Sequence, residues 1–114
     1  MILNEQQTMI RDMARGFADD RLAPHALEWD EKKHFPVDVI RETAALGLGG
    51  IYVREDVGGS GLTRFDAALV FEALATGCPA ISAFISIHNM CAWMIDRFGS
   101  QAQREKFLPR LISM

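Results

Sequence analysis

Residues 79–98 read PAISAFISIHNMCAWMIDRF, and that stretch decides the fold. Pro79 suits the first turn of a helix and Gly99 stands just past Phe98, so the spacing predicts one long helix between them, the fifth of the chain. Its side chains are apolar on nearly every face, which predicts a central helix that its neighbours wrap around. The run has nearly the length of a membrane span. Ser82, Ser86, His88 and Asn89 interrupt it, however, and Asp96 and Arg97 bound it, so a buried helix is the better reading and no membrane span is expected.

The flanking sequence supplies the partners such a helix needs. Thr63 with Asp66 forms a capping-box start for a fourth helix, whose stripe Ala67, Val70, Phe71, Leu74 ends at Gly77. Before it, Gly58, Gly59, Ser60 and Gly61 mark a loop, and Ile51 to Val53 could be extended, although one such piece makes no sheet. Pro36 suits the first turn of a third helix, with Val37, Ile40 and Ala44 as its stripe and Gly47 as a left-handed terminator. His25 to His34, with Leu27 and Trp29, is a short second helix. Asn4 caps the first, which carries Met9, Ile10, Met13 and Phe17 until Pro24 disfavours helical backbone at Ala23. Beyond Gly99, Ser100 with Gln103 opens a sixth helix with Phe107, Leu108 and Leu111 on its apolar side. Pro109 is expected to bend or end it, leaving Leu111, Ile112 and Met114 as an uncapped apolar terminus. The expectation is all-α: a single domain over 1–114, about six helices in an up-and-down bundle.

Composition narrows the function. With 49% hydrophobic and 24% charged residues the chain is globular rather than disordered or fibrous. A net charge of −3 without a Lys/Arg cluster excludes a nucleic-acid partner. Cys78 and Cys91 lack CxxC spacing and lie among apolar residues, so both read as core thiols in a reducing compartment. The start Met1-Ile2-Leu3-Asn4 shows no signal or presequence pattern, which points to the cytoplasm of a bacterium, or to the mitochondrial matrix if the source is eukaryotic.

Few residues suggest chemistry. His25, His34 and His88 are scattered, and His88 with Cys91 would give a metal only two ligands, so no metal site is expected and His88 reads as a hydrogen-bonded core or interface residue. No Ser-His-Asp or Cys-His signature occurs. The pairs Asp19/Asp20 and Glu55/Asp56 read as solvated. The loop Gly58 to Gly61 precedes a helix start but lacks the Lys-Ser/Thr of a P-loop, so a plain turn is favoured over a phosphate cradle. Ser82, Ser86 and Asn89, at i, i+4 and i+7 with Ile85, draw a thin polar line along the fifth helix. Either the serines bond back to their own helix and Asn89 bridges helices, or the line faces a cavity for a mostly apolar ligand.

Several segments are familiar as a set: Leu3-Asn4-Glu5-Gln6, Phe35-Pro36, Leu46-Gly47-Leu48-Gly49-Gly50-Ile51-Tyr52, Gly58-Gly59-Ser60-Gly61-Leu62 and Glu72-Ala73-Leu74-Ala75. In this order the chain resembles the N-terminal helical domain of the acyl-CoA dehydrogenases along essentially its whole length. Glu28-Trp29-Asp30, Phe35-Pro36-Val37-Asp38-Val39 and Ser86-Ile87-His88-Asn89-Met90-Cys91-Ala92-Trp93-Met94-Ile95 resemble the branch that acts on short branched acyl-CoAs such as isobutyryl-CoA, as in valine catabolism. The resemblance implies an FAD-dependent oxidoreductase in which a carboxylate base removes the α proton and the β hydride goes to the flavin. An electron-transferring flavoprotein would be the acceptor, and the whole enzyme a homo-oligomer, by resemblance a tetramer.

In that family a β-rich middle domain and a helical C-terminal domain, both absent here, supply the catalytic Glu and most FAD contacts. No catalytic or cofactor-binding residue is therefore carried over. Ile81, Ser82, Ile85, Ser86, Asn89 and Met90 are placed at the acyl pocket, with the Gly58 to Gly61 loop a weaker candidate. On this reading the segment alone is inactive. The competing readings are a non-enzymatic helical interaction module that docks through its apolar terminus, and an acyl-CoA-binding module without chemistry.

Overall fold

The computed structural model describes residues 2–114, and among the described residues there are six α-helices and no strand. They are α1 (Glu5–Phe17), α2 (Ala26–Lys32), α3 (Val37–Ala45), α4 (Arg64–Ala75), α5 (Pro79–Phe98) and α6 (Gln101–Ser113), as the all-α reading expects. Three of them begin with reciprocal capping boxes, Asn4 with Gln7, Thr63 with Asp66 and Ser100 with Gln103. Each box satisfies two amides that a helix start otherwise leaves unpaired. Gly47 takes the expected left-handed conformation after α3, at φ 83°. Ile51 to Val53 is not extended but turns, with Ile51 and Val53 fully buried.

Several local expectations are corrected. Pro24 does not unwind Ala23, which stays right-handed helical at φ −54°, ψ −42°. The chain instead widens into a π turn over Ala18–Leu22, and the Ala23 N–H reaches Ala18 O at 2.8 Å. Met9 is exposed, because the inward stripe of α1 runs through Ile10, Met13, Ala14 and Phe17 into Ala18. Pro36 precedes the first turn of α3 rather than standing in it, and the buried arc becomes Pro36, Ile40 and Thr43, which turns Val37 outward.

Pro109 does not end α6, which continues to Ser113. Pro109 and Glu105 both lie on the exposed side, so the carbonyl that loses its helical donor can bond water instead. The apolar terminus is not loose either. Leu111 and Ile112 pack on the cluster around Ala92 and Leu108, while Met114 packs on the larger core. Gly49 makes this possible: a Cβ there would overlap Ile112 O, so only a residue without a side chain lets α6 approach.

The larger core joins α1, the π turn, α3, α4 and the first half of α5, and a smaller one joins Val53, Val57, Ala92 and Leu108. The Cα extents are 41 × 37 × 18 Å. At helix spacings of about 8–10 Å that thickness holds roughly two layers, so α5 cannot be enclosed. It packs on α4 and α6 and leaves one side open, contrary to the wrapped central helix expected.

Candidate functional site

α5 divides into two faces. Ile81, Ser82, Ile85, Asn89, Ala92 and Asp96 are buried. Phe84, Ile87, Met90, Met94 and Phe98 are between 38% and 73% exposed and lie on the opposite side, within about 120° of arc. Phe35 extends the open face, meeting Phe84 edge-on at 4.9 Å between ring centroids. At the far end Met94, Phe98 and Phe107 line a shallow apolar cleft between α5 and α6. Phe107 is thus largely exposed rather than on the covered side of α6, and Cys91 is exposed rather than core.

The six residues assigned to an acyl pocket fall on both faces. Ile81, Ser82, Ile85 and Asn89 point into the domain, whereas Ser86 is half-buried and Met90 is 47% exposed. The polar line divides in the same way. The Ser82 hydroxyl donates to Phe71 O in α4 at 2.7 Å, and the Ser86 hydroxyl returns to Ala83 O in its own helix at 2.7 Å. Asn89 is fully buried: its Oδ1 accepts from the Ile51 N–H at 2.7 Å, and its Nδ2 donates to Leu48 O at 2.8 Å and Ile85 O at 2.9 Å. Asn89 therefore ties α5 to the connector that follows α3. His88 also bridges elements, its Nε2 lying 2.8 Å from Leu111 O.

The loop at Gly58 to Gly61 spends its amides inward. Those of residues 58, 59, 60 and 61 donate to Glu55, Arg54, Gly50 and Val53 carbonyls at 2.8–3.1 Å, so the loop offers no anion cradle. Among the described residues no group of three His, Cys, Asp or Glu could hold a metal, and no helix is long and apolar enough to cross a membrane.

One constellation was not legible as a site. Asp96, which reads in sequence as a charge bounding the helix, is buried together with Arg104. Its Oδ1 accepts from Arg54 Nε at 3.1 Å and Arg104 Nε at 2.9 Å, and its Oδ2 accepts from the Arg54 main-chain N–H at 3.1 Å. An Arg54 Nη2–H also donates to Asp96 O. Arg104 in turn donates to both oxygens of Asp56, at 2.7 and 3.0 Å, so Asp56 is ion-paired rather than merely solvated. That hydrogen-bonded pairing holds the Asp56 carboxyl below its ordinary range and raises the Arg104 guanidinium, on which Asp96 acts in the same sense. Nearby, the Arg64 guanidinium lies 4.3 Å from the Trp93 ring centroid and 5.1 Å from that of Tyr52, whose hydroxyl burial pushes upward in pKa.

The sequence profile of the acyl-CoA dehydrogenase N-terminal domain matches residues 4–114. The chain belongs to the acyl-CoA dehydrogenase family. It is 54% identical over 114 residues to the mitochondrial isobutyryl-CoA dehydrogenase of Bos taurus, and 56% identical over 112 residues to that of Dictyostelium discoideum. It covers 100% and 98% of its own length in these comparisons but 27% of each relative. The domain superposes on butyryl-CoA dehydrogenase of Megasphaera elsdenii with a TM-score of 0.91 at 32% identity, over 99% of this chain and 30% of that one. The family is one of flavoproteins, and this domain spans little more than a quarter of the curated relatives it matches.

Proposed function

We propose that the chain is the N-terminal helical part of an FAD-dependent acyl-CoA dehydrogenase that forms an α,β double bond in a short branched acyl-CoA such as isobutyryl-CoA. The observation that carries the reading is the open apolar face of α5 on a chain similar along its whole length to isobutyryl-CoA dehydrogenases. A longer chain would contribute a middle β domain, a C-terminal helical domain and the catalytic carboxylate, and the segment alone is inactive.

Within that enzyme Ser86, Ile87 and Met90 form the wall against the acyl chain, a polar point beside two bulky apolar side chains. Ile81, Ser82, Ile85 and Asn89 belong to the same pocket region, from behind that wall. FAD would supply the hydride acceptor; the glycine loop, which turns its amides inward, gives it no cradle. The domain at most covers the flavin. The physiological partners on this reading are the acyl-CoA, an electron-transferring flavoprotein and further copies of the same subunit. The compartment is bacterial cytoplasm, or the mitochondrial matrix in a eukaryotic source.

The test is the visible spectrum of the complete protein before and after anaerobic addition of isobutyryl-CoA. Yellow protein that bleaches is expected; colourless protein, or yellow protein indifferent to every acyl-CoA, overturns the reading. In the same enzyme Ser86→Ala and Met90→Ala should shift chain-length preference by about 1–3 kcal/mol, the scale on which apolar pockets discriminate a methylene.

A further inference from the structure

Ser82, Asn89 and Asp96 stand seven residues apart on α5, and all three are at most 5% exposed. Seven residues are two turns, a rise of about 10.5 Å with only about 20° of drift, so they form one line on one face. Each bonds the main chain of another segment: Ser82 bonds Phe71 O, Asn89 bonds Leu48 O and the Ile51 N–H, and Asp96 bonds the Arg54 N–H. The turning connector is therefore pinned to α5 at two points, its Ile51 and Arg54 amides.

The pins matter because of what surrounds them. Apolar attraction is non-directional, and α5 is apolar nearly all round, so burial alone discriminates poorly between rotational settings of this helix. A turn of one residue would put Ser86 and Trp93, or Phe84 and Cys91, where Ile85 and Ala92 are buried. It would also strand a carboxamide, a carboxylate and the Ile51 N–H away from their partners. Around Asp96 the charges are those of Arg54 and Arg104, with Asp56 on the far side of Arg104, so the acid has no second setting of equal charge balance. Ser86, bonded only within its own helix, is free of this line and faces outward.

We infer that Ser82, Asn89 and Asp96 are positioning residues that fix the rotation of α5, and thereby which of its side chains meet the acyl group. The inference deepens the reading of α5 as a pocket wall and rests on it. None of the three need touch substrate for this role; they act through Ser86, Ile87 and Met90.

The experiment uses the complete, flavin-loaded enzyme and the ratio of kcat/KM for isobutyryl-CoA to that for hexanoyl-CoA. Asn89→Leu, of similar size but indifferent to rotation, is expected to change that ratio by about tenfold or more, and Ser82→Ala in the same direction by less. Met90→Ala is the control for the wall itself. If Met90→Ala moves the ratio while Asn89→Leu and Ser82→Ala leave it within twofold, with or without a fall in melting temperature, the line is merely structural and the inference fails alone. If Met90→Ala also leaves it unmoved, the wall reading fails and the inference with it. Should Asn89→Leu not fold, Ser82→Ala decides the question by the same ratio.

Discussion

Replacing Asn89 by leucine in the 114-residue chain should cost about 3 kcal/mol of stability. The side chain is fully buried and is the partner of the Ile51 N–H and of Leu48 O, neither of which has another main-chain partner. Each orphaned group costs roughly 1–3 kcal/mol, so the two together cost about 2–6 kcal/mol. Leucine recovers about 1–2 kcal/mol through its apolar surface. The third bond, to Ile85 O, drops out because that carbonyl already serves the helix. For a domain of this size the net change corresponds to roughly 12–15 °C in melting temperature. Thermal and urea unfolding followed by circular dichroism at 222 nm measures it, with Ser86→Ala as a control expected to change stability by less than about 0.5 kcal/mol. A fall of under about 3 °C for Asn89→Leu would mean that water or a shifted connector satisfies both groups, and the pinning argument would be refuted.

Gly49→Ala should destabilise by about 2 kcal/mol or more, because the new methyl meets main-chain atoms of Ile112 rather than a movable side chain, and faster amide exchange at the end of α6 would report it. Gly16→Ala, in open space within α1, should instead stabilise by about 0.5–1 kcal/mol in the same urea titration; a loss there would show that the helix interior is not as described. In acid, Asp56, Glu28 and Glu42 have folded pKa values lowered by hydrogen bonds from Arg104, Lys32 and Arg21. Their contribution is therefore complete above the unfolded carboxylate range, near about 4, and disappears as pH falls through the folded values. The urea midpoint should be level from about pH 7 to 5 and then drop, less steeply in Asp56→Asn; a midpoint that rises on acidification contradicts the pairing. Ellman's reagent should titrate one thiol, Cys91, in the native chain and two in guanidinium, and two native thiols would contradict the burial of Cys78.

Three helix starts were legible because their determinants are local. Asn4, Thr63 and Ser100 each find a partner three residues on, so sequence spacing alone contains the geometry. The length of α5 was legible for the same reason, from Pro79 and Gly99. Which way α5 faces was not. Ser82, Ser86 and Asn89 suggested one line, but the actual line is Ser82, Asn89, Asp96, and its partners lie 38 to 42 residues away in the connector or 11 away in α4. Asp96 read as a charge bounding the helix because nothing within a helical turn announces Arg54 or Asp56. Cys91 was read as core from its apolar surroundings and Phe107 was placed on the apolar side of α6, since an apolar residue gives no hint of which side the neighbours occupy. Ser86 and Met90, proposed as part of the wall, share α5 with Ser82 and Asn89, and only the packing separates the residues that face outward from those that hold the helix.

The thinness of the fold has a consequence in area. The chain exposes 6967 Å², whereas a compact monomer of its length would expose about 6,200 Å². Its radius of gyration of 14.2 Å likewise exceeds the roughly 13.3 Å expected of 114 residues packed as a sphere-like domain. The surplus, on the order of 750 Å², is close to one partner's share of a standard-size protein interface, about 800 Å². A body two helices deep cannot remove that area by refolding; only an adjoining surface of comparable extent can, and the flank of α5 is where such a surface would have the most to cover.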